Sequence, residues 1–130
     1  MATRSRIGIL NKDGTVKSIY CHWDGYPEEN GKILMKHYPT KESVEALLEK
    51  GDMSVLKETV ERCEYYVDRG ETNVSADIYS NIDEYKSIRE EYQYYLDQDN
   101  VWWYTKSSSQ SFDLLENYFK NKSTDEEDED

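Results

Sequence analysis

The chain has 130 residues, 16 of them Lys or Arg and 28 Asp or Glu, for a formal net charge of −12. A chain of this length forms one domain that removes roughly two-thirds of its unfolded surface from water without needing a disulfide or metal. The negative charge excludes general affinity for nucleic-acid backbones, which draws on a basic stripe and on counterion release; mimicry of a nucleic acid stays open.

The 36% hydrophobic fraction is low, yet 12 Tyr and 3 Trp supply large amphipathic side chains, so a folded core is expected. Residues 1–41 carry seven basic and four acidic side chains, and residues 42–120 carry eight and eighteen. The last ten residues hold one base and six acids with no apolar side chain. We therefore expect a single α+β domain over 1–120 and a disordered acidic tail over 121–130, which serves either as a solubilising end or as an arm that competes for a basic groove.

In chain order, Arg6–Leu10 and Val16–Cys21 flank an Asp13-Gly14 step and predict a β-hairpin. His22-Trp23-Asp24-Gly25-Tyr26-Pro27 then predicts an ordered loop. Asn30 is the expected cap of a helix carrying Ile33, Leu34 and His37, ended by Pro39. Thr40 is the expected cap of a second helix, with Val44, Leu47 and Leu48 on one face and Gly51 just past its end. Asp52 or Ser54 is the expected cap of a further turn through Leu56 and Val60.

Tyr65–Val67 and Val74–Tyr79 read as a second hairpin around Asp68–Asn73. Asn81 and Glu84 have capping-box spacing and start a helix that runs to about Arg89. Tyr92–Leu96 and Val101–Tyr104 are two strands joined at Asp97–Asn100, and Ser111 caps a last helix bearing Phe112, Leu115, Tyr118 and Phe119. The fold class that follows is α+β, a mostly antiparallel sheet built from hairpins with short helices packed on it.

Chemistry is sparse. Cys21 and His22 are adjacent, but neighbouring strand residues point to opposite faces and do not converge on one atom. Cys21, His37 and Cys63 lack the paired short spacings of a zinc site, and neither phosphate-loop glycine pattern occurs. No enzyme activity, no metal and no cofactor are expected. With only two cysteines and no run of about 18 apolar residues, the chain reads as a reduced, soluble, cytoplasmic protein without a leader and without a membrane interaction.

The densest constellation is His22, Trp23, Asp24, Tyr26 and Asn30 on the first loop. Those residues either brace the gap between sheet and helix or bind a partner or ligand. Arg69 sits on a second polar turn, where it pairs with Asp68 or Glu71 or meets the first loop. Tyr95 and Trp103 belong to an aromatic cluster that alternation divides between core and surface. With Glu90, Glu91, Asp97 and Asp99 they sketch an acidic, aromatic face suited to another protein. The alternative is a small-ligand module in which the His22–Asn30 loop holds a nucleotide-like molecule and Arg6 or Arg69 meets its phosphate.

Thr3-Arg4-Ser5-Arg6-Ile7-Gly8, Asp13-Gly14-Thr15-Val16, Ser18–Pro27 and Asn30-Gly31 together resemble a group of small phage and prophage proteins. The resemblance continues through His37-Tyr38, Gly51-Asp52 and Asp68-Arg69-Gly70-Glu71, covering about residues 3–105. It implies a phage accessory protein in the cytoplasm of a host cell, a class in which small acidic chains inhibit host defence enzymes, CRISPR effectors among them, by occupying nucleic-acid grooves. The implied partner is a host protein, with no direct nucleic-acid binding.

Overall fold

The first hairpin forms as its turn chemistry predicts. In the computed structural model, which describes residues 3–109 and 111–120, β1 (Ser5–Leu10) pairs antiparallel with β2 (Val16–Cys21). Gly14 takes φ +90°, and Asp13 Oδ1 accepts from the Thr15 amide and hydroxyl at 3.0 and 2.6 Å. The acidic run over 121–130 lies outside the described residues.

Chain order then departs from the hairpin logic. Pro27–Gly31 forms one π-helical turn that runs into α1 (Lys32–His37). Asn30 is inside that turn, fully buried, and not a cap, because its side chain is drawn inward to the Trp23 carbonyl. Thr40 does cap α2 (Lys41–Leu48), exchanging hydrogen bonds with Ser43, and Gly51 follows at φ +89°.

The turn expected after Asp52 is a strand instead: β3 (Met53–Val55) pairs parallel to β2 at Cys21 and antiparallel to β4 (Glu64–Tyr65). Asp52 caps no helix because its Oδ1 accepts from the Tyr20 amide at 2.8 Å. Nor is there a hairpin around Asp68–Asn73. Val67–Arg69 is a short 3-10 turn, and β5 (Asp77–Tyr79) leaves β4 to pair with the first half of β2. The two segments compete for different neighbours, and the free edge of β2 takes both β5 and β3.

Asn81 caps α3 (Ile82–Lys86) by accepting from the Glu84 amide at 2.8 Å. β6 (Tyr92–Leu96) runs parallel to β1 and antiparallel to β7 (Trp102–Lys106). The last helix begins later than Ser111, since β8 (Asp113–Leu114) first pairs with β7, and residues 115–120 are helical. The sheet order is β4-β3-β2-β1-β6-β7-β8, a mixed and mostly antiparallel sheet in an α+β fold.

Alternation along the strands divides the two faces. Ile7, Ile9, Ile19, Cys21, Tyr94 and Leu96 point toward Leu34, Val44, Leu47 and Leu48 of α1 and α2, making the larger core. The other face carries Val16, Tyr95 and Trp103, covered by Tyr79, Tyr85 and Phe112. Buried aromatics also hold the loops. Tyr65 Oη donates to the Leu47 carbonyl at 2.6 Å, Trp102 Nε1 to the Tyr38 carbonyl at 2.9 Å and Tyr85 Oη to the Tyr94 carbonyl at 2.8 Å. Each such bond satisfies a buried acceptor and adds about 1 kcal/mol net, which is how a chain poor in aliphatics still closes its core.

Candidate binding site

Sheet register decides which of the candidate residues meet. Ser5 of β1 stands opposite both Cys21 and Tyr92. The loop after β2 and the segment leading into β6 therefore leave from the same end of the sheet, bringing Glu90 and Glu91 to the side of His22, Trp23, Asp24 and Tyr26. Asp97 and Asp99 lie at the far end, roughly 17 Å away along the strand, where Gln98 Nε2 donates to the Asn11 carbonyl of the other hairpin turn. The four acids therefore form no single surface. Asp97 is also occupied, accepting from the amides of Asp99 and Val101 and from Trp103 Nε1 at 2.8 Å.

The first loop both braces and presents. Its backbone is stitched to β3 and to the N-terminal segment: the amides of His22, Trp23 and Gly25 donate to the carbonyls of Met53, Ser54 and Thr3. Gly25 has no room for a Cβ, which would lie 2.8 Å from the Thr3 carbonyl oxygen. Asn30 Nδ2 donates to the Trp23 carbonyl at 3.1 Å, while its buried Oδ1 has no partner among the described residues. Asn30 is thus a brace whose unmatched acceptor costs about 1–3 kcal/mol.

Three aromatic rings remain at the surface end of β2. Tyr20 Oη and His22 Nδ1 share a hydrogen bond of 2.7 Å, and the His22 ring meets Trp23 edge-on with centroids 4.8 Å apart. Trp23 is 41% exposed, a large apolar area to leave in water. Carboxylates surround this end: Asp24, Glu29 and Glu91 are exposed and Glu90 is half-buried. Their fields register on neighbouring hydroxyls, since Asp24 first, then burial and Glu29, push the Tyr26 phenol up. Burial does the same to Tyr20, opposed by Arg4 and assisted by Glu90.

The remaining candidates go elsewhere. Arg69 does not meet the loop and pairs with neither Asp68 nor Glu71. Its guanidinium is 3.2 Å from Glu64 and lies over the Tyr66 ring, while Asp68 pairs with Lys50. Tyr95 is buried, stacked with Trp103 and edge-on to Phe112, so both aromatics belong to the smaller core. Arg6 is not free for a phosphate: Nη2 is 2.9 Å from Asp77 and Nε donates to Ser18 Oγ at 3.0 Å. The Cys21 thiol is fully buried, and burial pushes it up to about 12, which leaves it protonated and unreactive at neutral pH.

Sequence reasoning missed one group of residues. Lys86, the last residue of α3, Arg89, three residues on, and Lys106, the last residue of β7, line a cavity of about 230 Å³ on the face opposite the larger core. Tyr92 stands opposite Lys106 across the β6–β7 hairpin, which carries Lys106 back to the segment after α3; the hairpin is legible in the sequence, the concavity beside it is not. Among the described residues no helix is long and apolar enough to cross a membrane, and no group of three or more His, Cys, Asp and Glu is placed to hold a metal. Comparison of the chain with protein-family models, with curated proteins and with solved structures gives no match in any of the three.

Proposed function

We propose that this chain is a binding protein that inhibits a basic host protein, docking through the Tyr20–His22–Trp23 end of its sheet. The observation that carries the reading is the register of Ser5 against both Cys21 and Tyr92. It gathers an exposed Trp, a Tyr and a His with the carboxylates of Asp24, Glu90 and Glu91, whereas Asp97 and Asp99 take no part. Aromatic anchors supply contact energy, and the surrounding acids, backed by a net charge of −12, steer the encounter toward a positive surface.

A nucleic-acid groove of a host defence nuclease has that character, in keeping with the resemblance to small phage proteins. The loop itself fits a small ligand less well, because Asn30 is turned into the core and Arg6 and Arg69 are committed to carboxylates.

Expression of the chain in cells whose nuclease defence restricts a phage tests the reading directly. Restored plating that Trp23→Ala abolishes, together with a partner retained at about 0.15 M salt by the wild type and lost by the variant, is the expected result. Unrestored plating across the host's nuclease defences, or equal activity of Trp23→Ala, overturns it.

A further inference from the structure

We infer that the cavity between the end of α3 and the end of β7 is a binding site for a small phosphorylated ligand, a phosphomonoester or pyrophosphate. Its walls carry Lys86, Arg89 and Lys106. None of the three forms an ion pair with a described residue, which is equally true of Arg4, Lys12, Lys17, Lys32, Lys36 and Lys57; what sets Lys86, Arg89 and Lys106 apart is that they line one concavity together. In a chain with 28 acids to 16 bases, a concavity with three cations is the opposite of what the composition favours.

The nearby acids are accounted for. Asp83 lines the same cavity, yet lies beyond ion-pair distance of all three cations. Glu91 directs Oε1 to the Arg4 amide at 3.1 Å, and Glu90 acts on Tyr20, on the β2 side.

The interior is polar and already ordered. Gln93 and Thr105, opposite one another on β6 and β7, are buried lining residues, and each is fixed by a bond to a neighbouring carbonyl: Gln93 Nε2 to Tyr85 and Thr105 Oγ1 to Ser111. Ser107 and Ser109 also line the cavity, and their hydroxyls make no hydrogen bond with a described residue. Two hydroxyls and three cations, none of them engaged by a described side chain, match an oxyanion that accepts several charge-assisted bonds.

The backbone adds an independent sign. Arg89 closes the turn after α3 at φ +55°, a conformation that glycine or asparagine adopts far more readily than a long side chain. Its amide is held there by the Lys86 carbonyl at 3.2 Å. Arg89 thus holds a left-handed backbone at the rim of a cationic cavity, the kind of local strain that collects at binding sites. A small ligand suits the site better than a nucleic acid, because the protein's overall negative field repels a polyanion that extends beyond the cavity.

Arg89→Gly separates binding from folding. The variant relieves the left-handed strain, so its melting temperature without ligand should rise by about 3–6 °C, while its affinity for pyrophosphate should fall by at least tenfold. Pyrophosphate and phosphate titrations, matched in ionic strength with sodium chloride, should raise the wild-type melting temperature by about 4 °C at ten times the dissociation constant. Amide shifts should concentrate at residues 86–89 and 105–109. Lys106→Ala should weaken the same response.

No response beyond the chloride control in the wild type overturns the site. So does an equal response in the Arg89→Gly/Lys106→Ala double variant, or a stronger response to a single-stranded oligonucleotide than to pyrophosphate. These readouts leave the Trp23 docking reading untouched, since that reading is judged by partner retention and plating.

Discussion

Tyr94 of β6 donates its buried hydroxyl to the carbonyl of Gly25 at 2.6 Å, tying the central parallel strand to the loop that carries Trp23 and Asp24. Burial pushes the Tyr94 phenol well up, so it stays a donor at all ordinary pH. Tyr94→Phe leaves the ring in place and strips the Gly25 carbonyl of its buried partner, which should cost about 1–3 kcal/mol. Urea unfolding should show a lower midpoint at constant slope, with amide exchange accelerated first at residues 23–26. A midpoint within error of wild type would show that water replaces the hydroxyl.

Gly51 and Gly70 both have φ near +90°, but only one is enclosed. A Cβ on Gly51 would lie 2.0 Å from the Val74 carbonyl oxygen, while one on Gly70 would meet nothing within 4 Å. Gly70→Ala should therefore carry the left-handed cost alone, about 1–2 kcal/mol. Gly51→Ala should lose about 2–5 kcal/mol, because displacement of the Val74 backbone is added. Equal losses in the two variants, measured by chemical unfolding, would mean that the segment around Val74 yields freely.

Asp52 supplies a pH signature. Burial raises its carboxyl pKa, against the opposing influence of its bond from the Tyr20 amide and of Arg6, while Asp77 adds to the rise. The folded state then holds the proton more tightly than the unfolded chain. The Asp52 contribution thus favours folding as pH falls from neutrality toward the unfolded carboxyl value of about 3.9 and is lost as pH rises through the folded value. Asp52→Asn keeps an acceptor for Tyr20 and should match or exceed wild type at pH 7. Wild type should gain on the variant as the solution is acidified; parallel pH profiles would remove Asp52 from the account.

Tyrosines set the alkaline limit. Burial raises Tyr38, Tyr65, Tyr85 and Tyr94 above the usual phenol value. The unfolded chain releases these protons from about pH 10, so stability should be intact below that point and fall steeply above it. Tyrosinate absorbance should rise together with loss of the native circular-dichroism signal. Smooth titration of all twelve tyrosines in a chain that keeps its native spectrum would contradict the buried bonds described above.

Local chemistry in the sequence was enough for the elements closed by their own residues. The Asp13-Gly14 turn, the Thr40 cap with Val44, Leu47 and Leu48 facing inward, the Asn81 cap and the β6–β7 hairpin each depend on contacts within a few positions. Their signals survive folding unchanged. The tryptophan loop was legible as a residue-dense break after β2 through Gly25 and Pro27, but its order rests on distant bonds to Thr3, Met53, Ser54 and Tyr94.

What only the tertiary structure decided involves partners far along the chain. β3, β4 and β5 have three, two and three residues, too few to carry a periodic signal; β3 and β5 are strands because β2 has an edge to satisfy, and β4 because β3 does. Asn30 changes from cap to brace because the helical turn already starts at Pro27 and its side chain donates to the Trp23 carbonyl. The parallel register of β1 with β6 brings Glu90 and Glu91 to the Trp23 end and leaves Asp97 and Asp99 at the other. A hydrophobic pattern records which side of a strand is buried. It carries no record of which distant strand lies alongside, because that choice is made by edge pairing and packing across the whole sheet.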